Sequence, residues 1–276
     1  MKHVFLIKPL EKDIHPFVST IKSIMKGKDY DIHFSRFDGH VSEIIAQYEE
    51  KARFYSVGGD GFLNQVIQSL IYTTHELVVI PYGTGNDFSR LINISKDPEE
   101  ILRMSLNRET IKSDVIKMNE RYVINTACFG LDALVANTVH DKKGGYVKSL
   151  LRNVVGYPFY EVKLEDEEGI LYEGQVTLCV IANGRYYGGG FCIAPDAYIN
   201  DGYMDIVILP KINKWRAPYY LAKILSKSIH KYKKTFVKKV KACTIYTEGS
   251  TNIDGEQYEG NVLRIKIVPQ AVNIVL

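Results

Sequence analysis

The sequence predicts two domains: an α/β N-terminal domain with a mainly parallel three-layer sheet, and a mainly antiparallel β-sandwich C-terminal domain. Three observations lead there. Strand-like and helix-like patterns alternate up to about residue 114. Within that stretch two glycine loops each follow an apolar run and open a helical pattern. Beyond it the chain changes to short β-prone runs separated by turn residues. The expected domains are 1–115 and 116–276, with the extreme C-terminus left open to return to the first domain.

Val4 to Ile7 reads as the first buried strand, because Lys8 and Pro9 cut the apolar run far short of a signal sequence. Phe17 to Met25 and Val41 to Tyr48 have helical spacing, and Tyr30 to Phe34 is β-prone. Phe54-Tyr55-Ser56-Val57 then feeds Gly58-Gly59-Asp60-Gly61, after which Phe62, Leu63, Val66, Ile67 and Leu70 recur with a helical period. The device repeats where Leu77 to Ile80 runs into Pro81-Tyr82-Gly83-Thr84-Gly85-Asn86-Asp87-Phe88, followed by Leu91 and Ile92. Downstream, Tyr122 to Thr126, Tyr160 to Leu164, Val176 to Ile181, Met204 to Ile208, Ala242 to Tyr246 and Val262 to Ile267 are expected strands. Leu134 to Leu151 and Trp215 to Ile229 are expected helices.

The glycines let the backbone take positive φ and let a ligand approach, while each new helix offers unpaired N–H groups to an anion. Asp60 would repel phosphates unless a cation lay between them, so the loop suggests a metal-nucleotide site. Loops at the carboxyl ends of neighbouring parallel strands converge on one crevice, where Asp60, Thr84 and Asp87 could share a ligand. Neither loop is a Walker A or dinucleotide fingerprint. The plain alternative is two unrelated strand-to-helix turns.

Composition is that of a globular protein: 276 residues, 46% hydrophobic and 24% charged. No apolar stretch approaches the roughly 20 residues of a membrane-spanning helix. Cys128, Cys179, Cys192 and Cys243 lack metal or disulfide spacing and read as buried free thiols of a reducing cytosol. Net charge is only +3, yet eleven Lys and Arg and no acid fall between Asp205 and Glu248. There Tyr219, Leu221, Ala222, Leu225 and Ile229 fit the apolar stripe of an amphipathic helix, suited to an anionic bilayer or to core packing. No nucleic-acid module accompanies it.

Gly58-Gly59-Asp60-Gly61 with Asn64, then Gly83 to Phe88, resembles the diacylglycerol kinase catalytic-domain family, which includes bacterial lipid kinases and sphingosine kinases. The resemblance continues in order through Asp114, Asn125 to Asp132, Asn183-Gly184, Gly188 to Gly190, Pro195-Asp196-Ala197, Asn200-Asp201-Gly202 and Asp254-Gly255-Glu256. It departs from the family at Ile7-Lys8-Pro9-Leu10-Glu11, where an Asn-Pro loop is usual, and at Phe62 and Gln65, where Thr and Glu are usual.

The resemblance implies an ATP- and Mg²⁺-dependent lipid kinase with the nucleotide in the cleft between its domains. Gly58, Gly59, Asp60, Gly61, Asn64, Gly83, Thr84, Gly85, Asn86 and Asp87 would bind nucleotide, and Asp60, Asp87 and Asp114 would share the metal. Asp254 matches the family's general base, with Glu256 beside it. A second, structural cation would sit on Asp201 and the carbonyls of Tyr198 and Tyr203. The expected partner is a lipid at the membrane surface, with no nucleic acid. The expected place is the cytoplasm, peripheral to the inner membrane face, and a homo-oligomer is left open. Two alternatives stand beside this: a NAD kinase-like enzyme, and a catalytically weak nucleotide- or lipid-binding protein.

Overall fold

A computed structural model describes the chain except for residues 9–12, 93–94, 139–152, 154–156 and 227. It divides into two compact units, residues 1–113 with 270–276, and residues 114–269.

The first unit alternates β1 (Lys2–Ile7), α1 (His15–Ile24), β2 (Tyr30–Phe34), α2 (His40–Ile45), β3 (Ala52–Gly58), α3 (Asp60–Gln68), β4 (Glu76–Pro81), α4 (Asp87–Ile92) and α5 (Pro98–Ser105). The sheet runs β2-β1-β3-β4 in parallel, and Asn273 and Ile274 from the chain's end extend it beside β4, also in parallel. Every residue of β3 is buried, as in a strand covered on both faces. On one face Phe5, Ile7, Tyr55, Val57, Val78 and Ile80 pack with Phe17 and Ile21 of α1 and Ile101 and Leu102 of α5. Alternate residues point to the opposite face, and α2 and α3 pack together apart from α1 and α5, giving three layers. The sequence reading missed α5, whose start is marked by Asp97 accepting from the Glu99 N–H at 3.1 Å with Pro98 at the first turn.

The second unit contains β5 (Thr110–Met118, from Asp114 onward), β6 (Arg121–Val123), β7 (Thr126–Gly130), α6 (Leu131–Thr138), β8 (Glu161–Asp166), β9 (Gly169–Ala182), β10 (Tyr186–Tyr187), β11 (Phe191–Cys192) and β12 (Met204–Pro210). After these come α7 (Ala217–Leu225), β13 (Phe236–Val240), β14 (Ala242–Thr247), β15 (Thr251–Ile253), β16 (Glu256–Tyr258) and β17 (Val262–Val275, up to Pro269). The 14-residue β9 joins two antiparallel layers. Its second half lies between β7 and β12, while its first half pairs with β8, which continues to β14 and β17. Between the layers lie Phe129, Leu164, Cys179, Ile181, Ile206, Ile208, Ile245 and Leu263. The outer face of β7, β9 and β12 is covered by Leu131, Ala133 and Val135 of α6, Tyr157, Tyr220 of α7 and Ile229.

Three expectations change. The single strand expected over Tyr122 to Thr126 is two, β6 and β7, because the N–H groups of Ile124, Asn125 and Thr126 turn toward Asp254. The helix expected over Leu134 to Leu151 starts earlier, at Leu131, and its later part falls outside the described residues, as does the Pro9-Leu10-Glu11 departure. The helix expected over Trp215 to Ile229 is a 3-10 turn at Lys214–Arg216, then α7, then a 3-10 turn at Ile229–Lys231. Tyr219 and Ala222, assigned to its apolar stripe, are exposed, while Tyr220 and Ile229 are buried. All four cysteines are free and buried.

Candidate functional site

In the first unit, β3 and β4 end level with each other, Gly58 paired with Pro81, so both glycine loops leave the same sheet edge. They meet backbone to backbone. The Tyr82 N–H donates to the Gly58 carbonyl at 2.8 Å, and a Cβ placed on Gly83 would lie 2.4 Å from the Gly59 Cα. Only glycine at 83 permits that approach. Asn86 takes φ 51° and closes its own loop: its Oδ1 accepts from the Gly83 N–H at 2.9 Å and its Nδ2 donates to the Gly83 carbonyl at 2.7 Å.

Asp60 clamps the second loop. Its Oδ2 accepts from the Asp87 N–H at 3.1 Å and its Oδ1 from the Phe88 N–H at 3.2 Å, at the start of α4. Burial pushes this carboxyl above its usual range, and the backbone N–H groups act the other way. Gly59 caps α3 with no side-chain hydrogen bond, which leaves the helix N–H groups to an anion. Asp87 is buried, with Arg90 Nε 3.8 Å from its Oδ1. Thr84 is exposed at the loop, while Asn64 is buried in α3 and its Oδ1 accepts from Gln68 Nε2 at 3.2 Å. Phe62 is buried against Gly58, where an added Cβ would meet its ring at 2.7 Å. At the family's Thr position this chain therefore holds packing instead of a hydroxyl.

In the second unit, Asp254-Gly255 forms the two-residue turn between β15 and β16, with φ 48° and 95°. That pair of positive φ values is what an Asp-Gly hairpin adopts. The Asp254 carboxylate is buried and accepts from three backbone N–H groups: Ile124 at 2.8 Å, Asn125 at 3.0 Å and Thr126 at 2.9 Å. The residue expected as a base thus also ties its hairpin to the gap between β6 and β7. Glu256 is part-exposed, and its Oε2 accepts from Arg121 Nη2 at 3.0 Å.

Asp114 belongs to the second unit, where its Oδ2 accepts from the Gly202 N–H at 2.7 Å. It joins the Asn200-Asp201-Gly202 turn. Asn183, inside a matched motif but without an assigned role, links these places by donating from Nδ2 to the carbonyls of Asp114 at 3.0 Å and Ile124 at 2.7 Å. Asp201 Oδ1 accepts from the Tyr203 N–H at 3.0 Å, and its Oδ2 is 2.6 Å from Lys239 Nζ. That ammonium also lies 3.2 Å from Asp205 and 5.8 Å from the centre of the Tyr198 ring. Lys239 therefore supplies, in this turn, the positive charge that a cation on Asp201 would bring. Among the described residues no group of three or more His, Cys, Asp or Glu side chains is gathered for a metal.

Two family descriptions divide the chain between them. The diacylglycerol kinase catalytic domain matches residues 10–118, and the YegS C-terminal NAD kinase beta sandwich-like domain matches residues 125–276. The chain belongs to the diacylglycerol kinase family. It is a phosphotransferase, a kinase of the lipid-kinase class. A Shewanella frigidimarina protein named "Probable lipid kinase YegS-like" is 29% identical over 86% of this chain and 79% of its own. A Staphylococcus aureus protein named "Diacylglycerol kinase" is 29% identical over 76% of this chain and 70% of its own. The solved structure of a diacylglycerol kinase from Bacillus anthracis has a TM-score of 0.81 at 22% identity, covering 99% of this chain and 96% of that one. An NAD kinase from Archaeoglobus fulgidus solved with ATP reaches 0.56 at 11% identity, over 100% and 94% of the two chains. At these identities the two structures speak for the fold.

Proposed function

We propose that this chain transfers the γ-phosphate of ATP, with Mg²⁺, to the hydroxyl of a lipid such as diacylglycerol or a related glycerolipid or sphingoid. The observation that carries the reading is the junction of the two glycine loops under the Asp60 clamp. Backbone N–H groups of Gly59 to Gly61, at the start of α3, and of Thr84 and Gly85 would hold phosphates beside the close approach of Gly59 and Gly83. Asp60 and Asp87 would hold Mg²⁺, largely through water, because that ion sheds its water reluctantly. The metal, when bound, spreads the charge of the transferring phosphoryl group.

Asp254 would take the proton of the attacking hydroxyl, oriented by its three N–H donors, with Glu256 held nearby by Arg121. The names of the relatives support the lipid acceptor, and the ATP complex of the NAD kinase supports the nucleotide. No described helix is long and apolar enough to cross a membrane, so the acceptor would be reached from the bilayer surface.

Asp254→Asn tests the assigned base. Phosphorylation should fall by about 10² to 10⁴, as for loss of a general base, with ATP binding retained. The melting temperature should also drop, because the amide turns an N–H donor toward backbone donors. Retained phosphorylation would remove Asp254 from the chemistry, and an equal loss of ATP binding would assign it to the nucleotide site or to structure alone.

A further inference from the structure

The eleven basic residues between Asp205 and Glu248 leave the rest of the chain with 24 Lys and Arg against 32 Asp and Glu. Positive charge is thus concentrated in one segment of an otherwise acidic molecule. The structure sorts those cations by occupation. Lys238 lies 3.6 Å from Asp166, Lys239 is held by Asp201 and Asp205, and Lys211 donates to Gln175 at 2.8 Å. Lys231, Lys233 and Lys234 are exposed around Tyr232.

Tyr232 joins them to an aromatic surface. Its ring lies 5.4 Å from that of buried Tyr220 and 6.3 Å from that of exposed Tyr219, and Lys223 Nζ sits 5.8 Å from the Tyr219 centroid. One turn before Tyr219 stands Trp215, the chain's single tryptophan, 93% exposed on the 3-10 turn Lys214–Arg216. Trp is highly buried on average in folded proteins, so one left in water within a basic stretch of the chain calls for a partner with both an apolar and an anionic component.

We infer that Trp215, Tyr219 and the Lys231, Lys233 and Lys234 cluster form a docking face for an anionic lipid bilayer. The rings would enter the interfacial layer while the ammonium groups meet lipid phosphates. The remaining acidic surface would be repelled, which orients the molecule with this segment toward the membrane. The choice of a bilayer rests on the lipid-kinase reading. The test uses neither nucleotide nor lipid substrate, so its failure leaves phosphoryl transfer standing.

The full chain is mixed with vesicles of phosphatidylcholine, with and without phosphatidylserine, an anionic lipid that has no hydroxyl to phosphorylate, while sedimentation and tryptophan emission are followed. Binding should require the anionic lipid and should shift the emission of Trp215 to the blue. Changing Lys231, Lys233 and Lys234 together to Gln should weaken binding about 100-fold at low salt, with the loss shrinking at high salt. Trp215→Ala should weaken it roughly tenfold at either salt. The inference is overturned if anionic vesicles do not bind, if they bind with the emission unmoved, or if both variants bind like the parent. Oligonucleotide binding at least as tight as vesicle binding, lost in the triple variant, would assign the face to nucleic acid instead.

Discussion

Gly83→Ala puts the close approach of the two glycine loops under direct strain. The new Cβ would lie 2.4 Å from the Gly59 Cα, 3.1 Å from the Gly59 nitrogen and 3.0 Å from Asn86 Oδ1. Two of those three neighbours are backbone and cannot rotate away. Ordinary contact begins near 3.4 Å, so the loops must part by about 1 Å. Overpacking of this kind costs about 1–3 kcal/mol, and for a protein of this size each kcal/mol lowers the melting temperature by about 2–4 °C. The expected fall is thus roughly 2–12 °C. The functional loss should be larger, since a 1 Å misplacement of a positioned group can cost about 10²-fold in rate. Calorimetry, ATP titration and the rate of lipid phosphorylation on the same preparation measure these, with Thr84→Ala as the thermal control because Thr84 is exposed. A Gly83→Ala protein that melts and binds ATP like the parent would refute the argument that the loops form one phosphate cradle.

Asp60→Asn should lower the melting temperature as well as Mg²⁺-dependent turnover, because the amide leaves one of two backbone N–H groups facing a donor, a loss of about 1–3 kcal/mol. Lost turnover with unchanged melting would leave Asp60 a metal ligand and no clamp. Lys239→Met should destabilise the second unit by about 1–3 kcal/mol, since the buried Asp205 carboxyl, already pushed up by burial, loses its ammonium. Recovery on adding Mg²⁺ or Ca²⁺ would show that the Asp201 turn can take a cation, and equal melting of both proteins would contradict the ammonium's role. Burial and nearby Arg53 bring His3 down to about 4, against about 6.5 when unfolded. Its contribution is therefore complete above about pH 6.5 and is lost as pH falls toward 4, so His3→Gln should flatten the melting-temperature profile across that window. An unchanged acid slope would acquit His3.

What the sequence shows plainly is whatever depends on near neighbours in the chain. The βα alternation, the glycine loops between strand and helix, and the Asp254-Gly255 hairpin all rest on local rules of period and φ. Distant pairings are not written that way. Nothing near Ile124 announces that its N–H points at a carboxylate 130 residues later, and this is why β6 and β7 read as one strand. Lys239 reads as one more member of a basic run until the pairing of β12 with β13 brings it to Asp205. Asp60 reads as a metal ligand because its glycines suggest phosphate, whereas its hold on the Asp87 and Phe88 N–H groups appears only once the two loops are placed together. The stripe expected through Tyr219 is met at Ile229 and missed at Tyr219 and Ala222 for a related reason. One helix was assumed where the chain forms a short helix flanked by 3-10 turns, and the change of period moved Tyr220 inward.

The destination of the γ-phosphate tests the central claim most directly. Purified protein is given γ-labelled ATP and Mg²⁺ with mixed micelles containing diacylglycerol, a sphingoid base or neither, and with NAD in a parallel reaction. Label should appear in the organic phase as a phosphorylated lipid, only when a lipid hydroxyl and Mg²⁺ are both present, and its rate of appearance should fall by about 10² to 10⁴ in Asp254→Asn. Label recovered on NAD, or only as inorganic phosphate whatever lipid is supplied, would contradict the account.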